Sequence, residues 1–226
     1  MQKPTIEECE IFVTGGAGYL GRYLIPRLLE RGHRVLALVG PGTERKIAPG
    51  AQTVAGDVLD FSYAERIPSC DTFVHLVGAS HPGPANAKEM RSDLAAIRVA
   101  IAAALAAHAR NFVYVSVAQP APVMKAYQQV RVQCEDAIRV SGLNATILRP
   151  WYVLGPGHRW PYLTLPLYWL MYALPSTRDA ARRLGLVTLD DMIGALTNAI
   201  ETPCFGVRTF RVIDIRAAGS DTARGR

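Results

Sequence analysis

The chain is poor in cysteine, in charge and in the short motifs of phosphate or metal chemistry. Its four cysteines, Cys9, Cys70, Cys134 and Cys204, lie far apart and form no C-x-x-C pair. That spacing excludes a disulfide framework and leaves the isolated, reduced thiols of a cytoplasmic protein as the expectation. His33, His75, His81, His108 and His158 show no metal-ligand spacing with one another or with carboxylates, so no metal site is expected. No G-x-x-x-x-G-K-[ST] run and no G-x-S-x-G elbow occur, which argues against an ATPase and a serine hydrolase. The opening MQKPTIEECE has neither the apolar run nor the cleavage site of a secretory signal. Charged residues make up only 19%, and the net charge of +6 is scattered, its tightest cluster being Arg178, Arg182 and Arg183. No basic helix interleaves with aromatics, so nucleic acid is not an expected partner. A surface mildly attractive to anions is.

What the chain does have is apolar residues, half of the total among 226. They come in short continuous runs at 10–14, 34–39, 53–55, 72–77, 111–117 and 145–148, each read as a strand. Helical spacing separates most of them: Leu20, Leu24, Leu28 and Leu29 share a face up to Gly32, an alanine-rich helix is expected over about 86–109, and another over about 122–141. Strands without alternation, divided by helices, are the mark of a parallel sheet covered on both faces. The expected fold is therefore α/β, a doubly wound parallel sheet (Rossmann fold) with a small C-terminal lobe. Residues 1–216 form one domain in this reading, with 151–190 as a substrate-side lobe and 217–226 as a loose tail. A strand at 186–188, a helix at 190–201 capped by Asp190 and a last strand at 208–213 complete it.

The most informative segment is Thr14-Gly15-Gly16-Ala17-Gly18-Tyr19-Leu20-Gly21, between the first strand and the first helix. Gly15 is expected to make the tight turn, Gly18 to let a pyrophosphate approach the backbone, and Gly21 to let the helix pack closely on the sheet. The helix N-terminus then offers unpaired N–H groups and partial positive charge to phosphates. This opening of the first βα unit points to a dinucleotide.

The glycine order, G-x-x-G-x-x-G after threonine, resembles the short-chain dehydrogenase/reductase superfamily, and most closely its extended and atypical members: the epimerase/dehydratase group, NmrA-like proteins and small NAD(P)H-binding proteins. Three further stretches carry the resemblance: Gly56-Asp57-Val58-Leu59-Asp60, Phe73-Val74-His75-Leu76-Val77-Gly78, and Leu148-Arg149-Pro150 followed by Val153-Leu154-Gly155-Pro156-Gly157. The resemblance implies a cofactor groove lined by Gly15, Gly16, Ala17, Gly18, Tyr19, Leu20, Gly21 and Arg22. It adds Asp57 and Val58 at the adenine, and Leu76, Val77, Gly78, Pro150 and Val153 toward the nicotinamide. The second strand ends in Val39-Gly40-Pro41-Gly42, without the acid that usually holds the ribose of NAD, while Arg45 and Lys46 follow. NADP(H) is therefore favoured over NAD(H), with Arg45 and Lys46 as a solvated loop edge the competing explanation.

Reduction in this superfamily implies a serine and a Tyr-x-x-x-Lys pair on one helix face. Ser116 and Tyr127 stand at the matching positions, but Arg131 replaces the lysine. Ser116 would orient a carbonyl, Tyr127 exchange its proton, and Arg131 hold ribose and favour the phenolate. Two functions follow: an NAD(P)H-dependent oxidoreductase or related epimerase on a small carbonyl substrate, or a dinucleotide-binding sensor or assembly protein without turnover. Residues 160–174, part of an uncharged run broken by Pro161, Pro166 and Pro175, are too rich in proline and tyrosine for a membrane span. They read as a substrate-pocket wall, with a peripheral membrane or protein contact, or ordinary core, as the other readings. Oligomeric state stays open.

Overall fold

The computed structural model describes residues 8–78, 87–120, 124–156 and 185–224. Residues 160–174, with the substrate-wall reading placed on them, lie outside the described residues, as do Gly157, His81 and His158. Strands β1 (Glu10–Thr14), β2 (Arg34–Val39), β3 (Gln52–Ala55), β4 (Thr72–His75), β5 (Asn111–Val115) and β6 (Ala145–Leu148) follow the expected runs. Helices α1 (Gly21–Glu30), α2 (Ala87–Ala106) and α3 (Lys125–Val140) connect them, with short 3-10 turns at Glu44–Lys46 and Phe61–Arg66. Strands β7 (Tyr152–Leu154) and β8 (Leu186–Thr188), helix α4 (Leu189–Glu201), strand β9 (Val207–Phe210) and helix α5 (Val212–Arg224) complete the described chain.

Seven strands form one sheet in the order β3-β2-β1-β4-β5-β6-β9, every pairing parallel, and β7 and β8 make a separate parallel pair. Parallel strands need crossovers, and here the helices of the crossovers bury both faces. One core packs Leu24, Ile25 and Leu28 of α1 and Met192, Leu196 and Ala199 of α4 against Ile11, Val13 and Val113. The other packs Ile97 and Ala104 of α2 and Cys134 and Ile138 of α3 against Phe12, Phe73 and Phe112. Those three rings follow one another across β1, β4 and β5, Phe12 tilted against Phe73 at 5.0 Å between centroids and Phe73 stacked on Phe112 at 5.5 Å. The alternation of a strand thus sorts the two cores, odd residues of β1 to one and even to the other. The strand order reverses between β1 and β4, which opens a crevice at their carboxyl ends.

Three expectations are corrected. The last strand stops at Phe210, because the Asp214 carboxylate accepts from the Arg211 N–H at 2.9 Å and starts α5 at Val212. The tail expected to be loose from Ala217 continues that helix to Arg224, since a Cβ on Gly219 would lie 2.5 Å from Asp191 Cα and its absence lets α5 sit tightly on α4. The cap of α4 is Thr188, not Asp190: Thr188 Oγ1 accepts from the Asp191 N–H at 3.1 Å and the Asp191 carboxylate accepts in return from Thr188.

Candidate dinucleotide-binding and catalytic site

At the switch point the loop after β1 meets the loop after β4. Gly15 adopts φ +78°, and a Cβ there would lie 3.0 Å from the Leu76 carbonyl carbon and 3.1 Å from the Val77 nitrogen, so glycine alone fits on both counts. The Gly18 N–H closes the turn on the Gly15 carbonyl at 2.9 Å, and that oxygen is the one atom within 4 Å of a Gly18 Cβ. Helix α1 starts after Leu20 with no side-chain cap and no acid in its first turn. A helix mouth of this kind, open beside an exposed glycine, suits a diphosphate. Gly21 does a different job from the one expected. Its Cβ would fall 2.3 Å from the Gly16 carbonyl oxygen, so it packs the helix on the loop rather than on the sheet.

The other expected groove residues sit in α1, in the loops after β2, β3, β4 and β6, and in β7. Asp57 follows β3, exposed, its Oδ1 accepting from the Leu59 N–H at 2.9 Å, while Val58 packs on the second core. The preceding Gly56 N–H reaches the Val39 carbonyl at the end of β2. Arg22 and Arg45 are exposed, and neither forms an ion pair among the described residues. Pro150 accepts from the Ala118 N–H at 2.8 Å, joining the β6 end to the β5 end. Val153 lies against the first core, and Gly155 leaves room for the Tyr19 hydroxyl, which would be 2.3 Å from a Cβ there.

Beneath the loops runs a buried polar row that sequence reasoning missed. Sheet register sets Thr14 beside His75 and His75 beside Tyr114. Thr14 Oγ1 and His75 Nδ1 are 2.8 Å apart. Arg131 of α3 reaches into this row: Nη1 donates to the Tyr114 hydroxyl at 2.7 Å, and Nη2 pairs with the Asp93 carboxylate of α2 at 3.3 Å. The guanidinium lies against Gly78, where a Cβ would be 1.8 Å from Nη2, and over the Tyr127 ring at 5.0 Å from its centroid. Its Nε is buried without a hydrogen-bond partner among the described residues. Burial works against the Arg131 charge, but Tyr114, Tyr127 and Asp93 outweigh it and hold the proton more firmly than usual. Burial also pushes the Tyr114 phenol up. Nothing in the spacing flags Asp93, one of two carboxylates in an alanine-rich helix.

Burial, with Arg131 nearby, lowers His75 from 6.5 to about 3. The sign follows. A depressed histidine stabilises the fold fully above pH 6.5 and loses that contribution as pH falls toward 3, because the unfolded chain takes the proton first. Urea unfolding is expected to show a loss on the order of 1–2 kcal/mol between pH 7 and pH 5. Most of this slope should vanish in His75→Gln; a slope unchanged in that variant would assign it elsewhere.

Ser116 lies directly after β5. Its hydroxyl donates to Glu135 Oε1 at 2.6 Å. Glu135 is fully buried and also accepts from Gln119 at 2.9 Å, Arg149 Nε at 2.9 Å and Arg139 at 3.0 Å. Burial alone would raise its pKa; Arg149, Ser116 and Arg139 together hold it below the usual carboxylate range. The structure therefore sets Arg131 over the Tyr127 ring beside Gly78, and Ser116 against Glu135 of the same helix α3.

The match to known proteins agrees with this geometry. Residues 15–159 match the model of the NAD(P)H-binding family, and the chain belongs to that family. The resemblance to atypical short-chain dehydrogenases/reductases is borne out. Over 214 residues, 92% of this chain, it is 27% identical to ceramide reductase of Caulobacter vibrioides, covering 66% of that protein. It is 27% identical over 167 residues to 4-hydroxy-2-methyl-3-oxo-4-farnesyl-3,4-dihydroquinoline-1-oxide ketoreductase of Stigmatella aurantiaca, covering 64% of this chain and 50% of the other. The chain thus spans between half and two thirds of these relatives. In fold it is similar to Bordetella bronchiseptica WbmH, solved with NAD+, at TM-score 0.69 and 19% identity, covering 91% of this chain and 76% of that one. No described helix is long and apolar enough to cross a membrane.

Proposed function

We propose that the chain is an NADP(H)-dependent oxidoreductase that reduces the carbonyl of a small, apolar substrate. The observation that carries this reading is the Arg131 guanidinium, fixed between Gly78 of the groove and the ring of Tyr127. A permanent cation there favours the phenolate as Tyr127 gives its proton to the carbonyl oxygen. The bound dinucleotide supplies the hydride that reduces the carbonyl carbon. Tyr127 is half-buried and its hydroxyl makes no hydrogen bond among the described residues, which leaves it available to a substrate oxygen. The loop from Gly15 to Gly21 and the mouth of α1 hold the diphosphate, and Asp57 and Val58 border the adenine. Arg22 and Arg45, exposed beside a β2 end that lacks an acid, favour the extra phosphate of NADP(H). The names of the two relatives carry ceramide and a farnesyl chain, which supports an apolar substrate and agrees with the uncharged stretch at 160–174. A cytoplasmic setting goes with this reading.

The test is NADPH oxidation, followed by absorbance, with a panel of ketones of increasing chain length. Turnover is expected to rise with apolar length. Tyr127→Phe should lower kcat by about a hundredfold or more, the range of a lost general acid, while NADPH affinity stays within a few fold. Full turnover in Tyr127→Phe would overturn the assignment of Tyr127. NADPH binding without turnover on any ketone would favour the sensor reading.

A further inference from the structure

Gly78 lies in the loop after β4, and its backbone does not require glycine: its φ is outside the left-handed region, unlike that of Gly15. The reason for glycine is space. A Cβ there would overlap Arg131 Nη2 and stand 2.7 Å from Arg131 Cζ and 2.9 Å from Nη1, and these are its three nearest atoms. At Gly15 and Gly21 the nearest atom is backbone, so those glycines are needed whatever side chains surround them. Gly78 is needed only because residue 131 is an arginine. An arginine head on a surface swings aside at little cost, but this one is pinned. Its side chain is 4% exposed, its Nη1 donates to the Tyr114 hydroxyl at 2.7 Å, and its Nη2 pairs with Asp93 at 3.3 Å. A lysine ammonium would end about where Cζ stands and stop short of the Nη2 overlap.

We infer that Gly78 is a positioning residue: by lacking a side chain it seats the Arg131 guanidinium against the loop after β4 and over the Tyr127 ring, so that arginine is a fitted member of the site and not a decayed lysine. Gly78 and Arg131 then work as one unit. A side chain at 78 is excluded while 131 is arginine, and becomes tolerable once 131 is shorter. The seat leaves the cation charged and fixes where that charge stands relative to the phenol. The inference rests on the proposed role of Tyr127 in carbonyl reduction.

The experiment is a double-mutant cycle on the full-length protein, read by melting temperature without nucleotide, by NADPH fluorescence titration and by turnover on the ketone panel. Gly78→Ala should lower the melting temperature by about 3–8 °C, because the methyl is forced against a pinned side chain. It should lower kcat by about tenfold or more through the displaced cation, while NADPH affinity, held chiefly by the glycine loop, stays within about fivefold. In the Arg131→Lys background the same substitution should cost under about 2 °C, and the double variant should turn over at least about fivefold faster than Gly78→Ala. Arg131→Gln is a second background should the lysine variant not fold; there the melting loss should shrink too, without recovery of turnover. A melting loss of equal size in every background, or a double variant no faster than Gly78→Ala, would overturn the proposal, since Gly78 would then act through its own backbone. Equal losses of NADPH affinity and turnover that lysine does not relieve would make Gly78 a direct cofactor contact and overturn it as well. If the native protein binds no NADPH, the cofactor reading fails and takes the role of the seat with it. The melting temperatures tell that outcome apart, because they read the seat without nucleotide.

Discussion

Gly21→Ala is expected to abolish dinucleotide binding at concentrations that saturate the native protein. A Cβ at this position would stand 2.3 Å from the Gly16 carbonyl oxygen, 2.5 Å from its Cα and 2.6 Å from its carbonyl carbon. All three are backbone atoms, so no rotamer change relieves the clash. Either α1 lifts off the loop or the loop is pushed into the space the diphosphate needs. Overpacking of this kind costs about 1–3 kcal/mol of stability, and the N–H groups at the helix mouth lose their shared aim. NADPH fluorescence titration should show affinity down by at least about a hundredfold, which corresponds to about 2.7 kcal/mol. Gly40→Ala is the control. No protein atom lies within 4 Å of its Cβ and its φ is ordinary, so the melting temperature should stay near native. Unaltered NADPH affinity in Gly21→Ala would show that the loop does not hold the cofactor.

The contrast between those two glycines shows what a sequence can and cannot carry. The parallel sheet was legible because each buried strand is a run such as Ile11, Phe12 and Val13, apolar on both faces. The glycine loop was legible because it sits at a strand-to-helix junction. The partner of Gly21 was not, because packing on the loop and packing on the sheet both demand glycine. Ser116 shows a second limit. Its place at the end of the fifth strand matches a catalytic serine, but the alternation of β5 turns Tyr114 and Ser116 to the same side, toward α3. Glu135 waits there, and a carboxylate eight residues after Tyr127 looks like a solvated helix acid until the Arg149 loop closes over it. Asp93 and His75 are the same case. Their roles come from sheet register and helix packing, which are long-range facts. Arg131 was legible as a departure from lysine, whereas its anchoring by Asp93 and Tyr114 was not.

Glu135→Gln is expected to lower stability by about 3 kcal/mol, near the lower end for breaking a buried ion pair. The carboxylate accepts from Ser116, Gln119, Arg149 and Arg139, and it is completely excluded from water. An amide keeps the shape but turns one acceptor into a donor facing two guanidinium groups. Two features hold the loss to the lower end. The side chains of Arg149 and Arg139 are 22% and 37% exposed, so both cations retain some water. For a chain of this length the melting temperature should fall by roughly 6–12 °C. Because Glu135 ties down Gln119 and Arg149, the ends of β5 and β6 should loosen together, and hydrogen exchange at Ala118, whose N–H bonds the Pro150 carbonyl, should quicken with them. The pH dependence carries an independent check. A carboxylate held below its usual range stabilises the fold above pH 4.5 and loses that contribution as pH falls. The stability gap between native protein and Glu135→Gln should therefore narrow below pH 4.5. A gap of unchanged size at pH 3 would mean that the loss comes from the misplaced amide donor rather than from the missing charge, and that Arg149 finds its counter-ion elsewhere.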